Sequence, residues 1–187
     1  MIHHYNDVLS QMSITYLKDI RLRSFTLDDA PDVLAYGSDA LTMKYLVWEG
    51  ISTLREAEDA INGHYLKNPC IFAIELMSIG RCIGCIDLRP DPAHDKAGFG
   101  YVLNRAYWNH GYMTQAFCGL IDISFRILDI NRLEATHYTG NEGSGRVMMK
   151  CGMVFEGIGR QEVIIKGIYR DVVHYAILKE DWIKAYT

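Results

Sequence analysis

The chain has 187 residues, 49% of them hydrophobic and 22% charged, with a formal charge of −4. This size and balance suit one globular domain with a substantial core and exclude a disordered chain. Net negative charge gives no electrostatic case for nucleic acid, and no apolar run approaches the roughly 18 residues of a membrane span.

Residues 1–17 show no periodic pattern and read as an N-terminal extension ahead of a single domain over 18–187. The start of the chain lacks the basic-then-apolar layout of a secretory signal, so the cytoplasm is the expected compartment. His3-His4 is a metal pair only on paper and is expected at a frayed terminus. Asp19 to Phe25 sets Ile20, Leu22 and Ser24 against Arg21, Arg23 and Phe25, the alternation of a half-buried strand. Thr26-Leu27-Asp28-Asp29 is a capping box, predicting a helix that carries Leu27, Ala30, Val33 and Leu34 inward and stops at Gly37. Asp39 to Gly50 has no clean period. Thr53-Leu54-Arg55-Glu56 opens a second helix with Leu54, Ala57, Ile61 and Tyr65 on one face, ended by Asn68-Pro69.

Cys70 to Met77 and Arg81 to Leu88 read as strands joined through Ser78-Ile79-Gly80, and Pro90 to Ala93 as a loop. The five cysteines are 70, 82, 85, 118 and 151. Cys82-Ile83-Gly84-Cys85 has C-x-x-C spacing, but in a strand positions three apart face opposite ways, and no second pair completes four metal ligands. All five are read as buried thiols, and no metal is expected. Ala97 to Leu103 is the next strand. The stretch Asn104 to Ala116 then leads into a helix over Thr114 to Leu128. A strand, a polar loop and a helix start place unpaired N–H groups and the positive end of the macrodipole at one point, suited to an anion such as phosphate. Gly111 lets the backbone approach, and Asn109 tolerates a left-handed conformation. Arg132 to Thr139 is a further strand. Asn141 caps a short helix ending at Gly152, residues 153–164 and 169–178 form a hairpin, and Glu180 to Tyr186 adds a helical turn.

Two motifs at this separation, Y-W-x-x-G-Y-M-T-x-A from Tyr107 and N-x-x-S-x-R-V-x-x-K-C-G from Asn141, resemble the GNAT superfamily of acetyl-CoA-dependent N-acetyltransferases, and within it the RimJ/RimL-type ribosomal-protein branch. The likeness runs from about Ile20 to Trp182. It implies an α/β fold: a central, mostly antiparallel mixed sheet with two splayed parallel strands and flanking helices. It also implies acetyl-CoA as co-substrate, with Tyr101, Val102 and Leu103 offering backbone groups to the pantetheine arm. The pyrophosphate loop would be Trp108, Asn109, His110, Gly111, Tyr112, Met113 and Thr114, with the N–H groups of His110 to Thr114 facing the phosphates. The rings of Tyr107 and Trp108 are expected to pack, and His110 to move no proton. Asn141 matches the residue whose amide bonds the cofactor arm, with a pure helix cap as an equal reading. Met148 stands where many relatives have a thiolate-protonating tyrosine. A thioether cannot donate, so Ser144, one turn earlier, is the candidate catalytic hydroxyl, with a local backbone bond as its alternative.

The general base is not named by the sequence. Gly98 occupies the position of a common glutamate, and Glu134 and His137 are titratable groups nearby, each expected to be structural. Acceptor walls are sought in Tyr45, Leu46, Val47 and Trp48, and in Tyr169-Arg170-Asp171. The expected activity is acetylation of a primary amine by direct attack in a ternary complex. A protein N-terminus is favoured as acceptor over a polyamine or antibiotic, and a catalytically idle acyl-CoA-binding module is the rival. A homodimer stays open.

Overall fold

The computed structural model describes residues 14–186 together with Tyr5, Val8 and Leu9; His3-His4 lies outside them. Among the described residues, eight strands form one sheet in the order β1-β2-β3-β4-β5-β6-β8-β7: β1 (Ile14–Tyr16), β2 (Ile20–Arg23), β3 (Ile71–Leu76), β4 (Arg81–Asp91), β5 (Lys96–Leu103), β6 (Arg132–Tyr138), β7 (Val154–Ile165) and β8 (Ile168–Leu178). Neighbours are antiparallel except β5 and β6, which pair in parallel. The helices are α1 (Ala30–Gly37), α2 (Ala40–Met43), α3 (Leu54–Ala60), α4 (Tyr112–Arg126), α5 (Glu142–Lys150) and α6 (Lys179–Tyr186).

The period of two in the strands divides the core between the two faces of the sheet. Phe72, Ile74, Ile86, Leu88, Ala97 and Phe99 pack with Phe117 and Leu120 of α4 and Met148 of α5. Ala73, Cys85 and Val102 point the other way, into a second cluster with Val33 and Tyr36 of α1 and Ala57 of α3. The face of Arg21 and Arg23, expected to meet water, is therefore largely covered. Charge is matched there: buried Glu75 lies 2.7 Å from Arg21 and 2.5 Å from Arg23, and Arg23 also holds Asp29, the acid of the first capping box.

Several expectations need correction. Residues 14–16 are not irregular; they form β1 against β2, and Tyr5 and Leu9 are buried in the main core. Leu27 and Leu54, expected to point inward, are exposed at the starts of their segments, while Ala30, Val33 and Tyr36 form the buried side of α1. Pro90 lies inside β4, opposite Ala97 of β5. The ladder with β3 ends at Asp87, so among the described residues no strand pairs with Pro90 on that side and its missing N–H breaks no ladder bond. A bulge in β4 opposite Ile74 and Glu75 adds one residue and turns Cys82 onto the same face as Cys85. Burial is the main cause that pushes the Cys85 thiol up to about 12. Finally, Cys118 of α4 and Cys151, just past α5, form a disulfide rather than remaining thiols. The bridge closes 33 residues between two helices that sequence spacing does not bring together. By the chain-entropy estimate such a loop stabilises by roughly 3–4 kcal/mol. Cys118→Ser, or reduction, should lower the melting temperature by about 10 °C in scanning calorimetry. Coincident curves with and without reductant would show that the bridge constrains nothing.

Candidate active site

The parallel ladder of β5 and β6 covers only Lys96↔Arg132, Ala97↔Leu133 and Gly98↔Glu134, although the strands run on to Leu103 and Tyr138. Beyond Gly98 the two strands part. Which backbone groups this opening frees follows from parity. The Arg132 N–H donates to the Asp95 carbonyl at 3.2 Å, so odd residues of β5 turn their polar groups towards β6. The Asn104 N–H donates to the Ile83 carbonyl at 2.8 Å, so even residues turn theirs towards β4. Tyr101 and Leu103 therefore face the opening. Val102, expected to join them, directs its backbone to Cys85 of β4 and its side chain into the second core cluster. The Leu103 carbonyl is capped by the Trp108 indole N–H at 2.7 Å, which ties the following loop to the strand end.

That loop ends in two left-handed residues, Asn109 (φ 63°) and Gly111 (φ 82°), and Gly111 is the N-cap of α4. The first intrahelical bond runs from the Gln115 N–H to the Gly111 carbonyl, 3.0 Å. The N–H groups of Tyr112, Met113 and Thr114 precede it and have no partner within the helix. No side chain caps the helix and no acid lies in its first turn, so its positive end is left for an anion from outside. The Met113 side chain is buried in the core, leaving only its backbone for this role. His110 stacks on Tyr112, with centroids 5.6 Å apart, and its Nδ1 lies 2.8 Å from the Trp108 carbonyl.

Across the opening, α5 presents Asn141 and Ser144. Asn141 sits at the N-cap position but makes no capping bond with its side chain, so the amide is not consumed by the helix. Ser144 Oγ lies 2.5 Å from Tyr101 Oη, which also donates to the Ser144 carbonyl at 3.2 Å. Tyr101, expected to offer only backbone groups, contributes this hydroxyl as well. Its signal was parity: odd residues of β5 face α5, and a tyrosine is long enough to reach it. Burial holds the Tyr101 phenol well above its ordinary value, so it stays protonated as a donor. Met148 is buried in the core and supplies no acid.

The titratable candidates separate. Glu134 is ion-paired to Lys96 (2.9 Å) and Arg132 (3.4 Å). His137 lies on the opposite face of β6, against Gly145 of α5 and stacked on Tyr175. Above Gly98 there is open space: an added Cβ would meet only the Glu134 carbonyl, 3.9 Å away. Of the proposed acceptor walls, Tyr45 donates to the Gly140 carbonyl in the β6–α5 turn (2.7 Å), and Lys166 of the last hairpin reaches the Met43 carbonyl (3.2 Å). Val47 and Tyr169 are exposed, whereas Trp48 packs against the second core. A groove of about 440 Å³ between residues 15–18 and α4 is lined by both core residues, such as Ile123 and Trp182, and surface residues, such as Tyr16 and Lys18. Among the described residues no cluster of three His, Cys, Asp or Glu is arranged to hold a metal ion, and no helix is long and apolar enough to cross a membrane.

Comparison with known proteins gives the same outline. The acetyltransferase (GNAT) domain family matches residues 19–154. The uncharacterized N-acetyltransferase YnaD of Bacillus subtilis is 31% identical over 88% of this chain and 96% of its own. A GNAT-family acetyltransferase structure from Bacillus anthracis superposes with a TM-score of 0.82 at 28% identity, covering 89% of this chain and 99% of that one. Two Escherichia coli relatives carry named acceptors. A spermidine N(1)-acetyltransferase is 24% identical over 88% of both chains. A [ribosomal protein uS5]-alanine N-acetyltransferase is 29% identical over 44% of this chain and 43% of its own.

Proposed function

The chain belongs to the GNAT acetyltransferase family and is an N-acetyltransferase using acetyl-CoA, and we propose that its acceptor is an α-amine, best fitted by a protein N-terminus. In this reading the N–H groups of His110 to Thr114 hold the pyrophosphate. The inward backbone groups of Tyr101 and the N–H of Leu103, with the Asn141 amide, hold the pantetheine arm. The residues fit that ligand: a free, uncapped helix start stands beside an opened strand edge, with no carboxylate in the first turn to repel phosphate. Rate enhancement comes mainly from holding amine and thioester in line, and from a strand N–H polarising the carbonyl.

The observation that carries the acceptor assignment is electrostatic. Three carboxylates on the strands beside the opening are ion-paired within the chain: Asp87 with Arg89, Glu134 with Lys96 and Arg132, Glu156 with Arg132. A polycation needs surplus negative charge, and an α-amine does not. The likeness to the ribosomal-protein enzymes favours the same acceptor, whereas the spermidine enzyme keeps a small polyamine as the second reading. Thiol release from acetyl-CoA in the presence of an unblocked peptide tests the proposal. No release with any amine would leave an acyl-CoA-binding module.

Ser144 takes the thiolate-protonating role, with Tyr101 Oη holding it. Ser144→Ala should lower kcat about tenfold while the Kd for CoA stays within twofold, the pattern of an interaction made in the transition state. Unchanged kcat at saturation would reduce Ser144 to a residue of the first helical turn.

A further inference from the structure

Gly98 and Gly100 leave a gap in the side-chain layer on the α1/α3 face of β5, beside the start of the opening. The neighbouring strand fills half of it. Asp87 of β4 stands directly opposite Gly100 and shares its face with Cys85 and Arg89. A Cβ on Gly100 would lie 2.7 Å from Asp87 Oδ2 and would collide with the Arg89 guanidinium, so the pair can occupy this place only because residue 100 has no side chain. Arg89 grips the carboxylate with two bonds, Nε to Oδ1 at 2.6 Å and Nη2 to Oδ2 at 3.0 Å, fixing its orientation. The Asp87 side chain keeps about a fifth of its surface accessible, while that of Arg89 is mostly exposed. The other half of the gap, over Gly98, stays open.

We propose that Asp87 is the proton acceptor for the attacking amine, its carboxylate seated over Gly100 and bordering the open space that a β5 carboxylate at position 98 would otherwise fill. The inference rests on the acetyl-transfer reading above and adds the base that the sequence does not name. The amine enters the hole over Gly98 with its nitrogen between the Asp87 carboxylate and the thioester carbonyl carbon in the opening. The nitrogen lone pair forms the C–N bond, and the C–S bond breaks with its electron pair on sulfur. The proton lost from nitrogen passes to Asp87 and on to solvent, and the sulfur takes its proton from the Ser144 side. Because the nitrogen becomes strongly acidic once the C–N bond has formed, the accepting group need not be a strong base. Its placement matters more than its basicity.

Three proteins test this, assayed for thiol release with an unblocked peptide and titrated calorimetrically with CoA: the unaltered chain, Asp87→Asn, and Asp87→Asn combined with Gly98→Glu. Asparagine keeps the shape and one bond to Arg89, so the fold and the CoA site should survive. The expected result is a kcat about 100-fold lower in Asp87→Asn with the Kd for CoA within twofold, in line with the usual contribution of a placed base. Gly98→Glu should then recover at least tenfold, since the space over residue 98 is open. An Asp87→Asn protein that keeps its kcat overturns the proposal and leaves the acetyl-transfer reading intact. So does a loss that Gly98→Glu leaves unrestored, or one accompanied by an equal loss of CoA affinity. Absence of turnover in the unaltered chain overturns both.

Discussion

Gly111→Val should weaken CoA binding by a factor of ten or more in a protein that still folds. Gly111 adopts φ 82° at the point where the chain turns into α4. An added Cβ there would meet no atom within 4 Å, so the effect is not a clash with neighbours. It is conformational: a β-branched residue in the left-handed region costs roughly 1–2 kcal/mol or more, and the chain relieves this by rotating the peptide groups on either side. Those peptides carry the N–H groups that must converge on the phosphates. A loss of about 1.4 kcal/mol already gives a tenfold weaker Kd, and several donors share the misalignment. The helix itself is held by Met113, Phe117, Leu120 and other buried side chains, so the fold should persist. Calorimetry showing unchanged CoA affinity in a folded Gly111→Val protein would remove the loop from the cofactor site.

This loop was legible in the sequence because its determinants are local. A glycine, an asparagine able to turn left-handed and a following amphipathic run are written within about twenty residues, and the φ values of Asn109 and Gly111 agree with that reading. The strands around it were legible for the same reason, through their period of two. What escaped depends on residues far apart. The β4 bulge that realigns Cys82 is a mismatch between two strands, invisible in either alone. Pro90 reads as a loop residue until one knows that β3 stops at its neighbour's side. Asp87 lay in a strand already explained by its apolar neighbours, and only the register against Gly100 gives its carboxylate a place in the site. The Tyr101 hydroxyl and the Cys118–Cys151 bridge likewise needed the packing of α4 and α5 before either could be seen.

At pH 7.4 and matched concentration, a peptide with a free N-terminus should be acetylated at least 100-fold faster than an N-terminally blocked lysine peptide or spermidine. The attacking nitrogen must be neutral. An α-amine with a pKa of about 7.7–8.0 is roughly one-quarter neutral at this pH, and a lysine-type amine near 10.4 only about one part in a thousand. That ratio, about 250-fold, corresponds to a little over 3 kcal/mol that a site must recover before a basic amine reacts as readily. Desolvating the ammonium ion or holding it against surplus negative charge could do so. Here Asp87, Glu134 and Glu156 are already paired with Arg89, Lys96 and Arg132, which weakens their attraction for a cation. The pH dependence separates the two acceptors as well. Raising the pH from 7.4 to 8.4 should increase the rate with the α-amine only about threefold, because most of it is then neutral, whereas the lysine-type amine gains about tenfold. A faster rate with spermidine at pH 7.4 would overturn the α-amine assignment, and would mean that the Asp87–Arg89 pair opens to receive a cation.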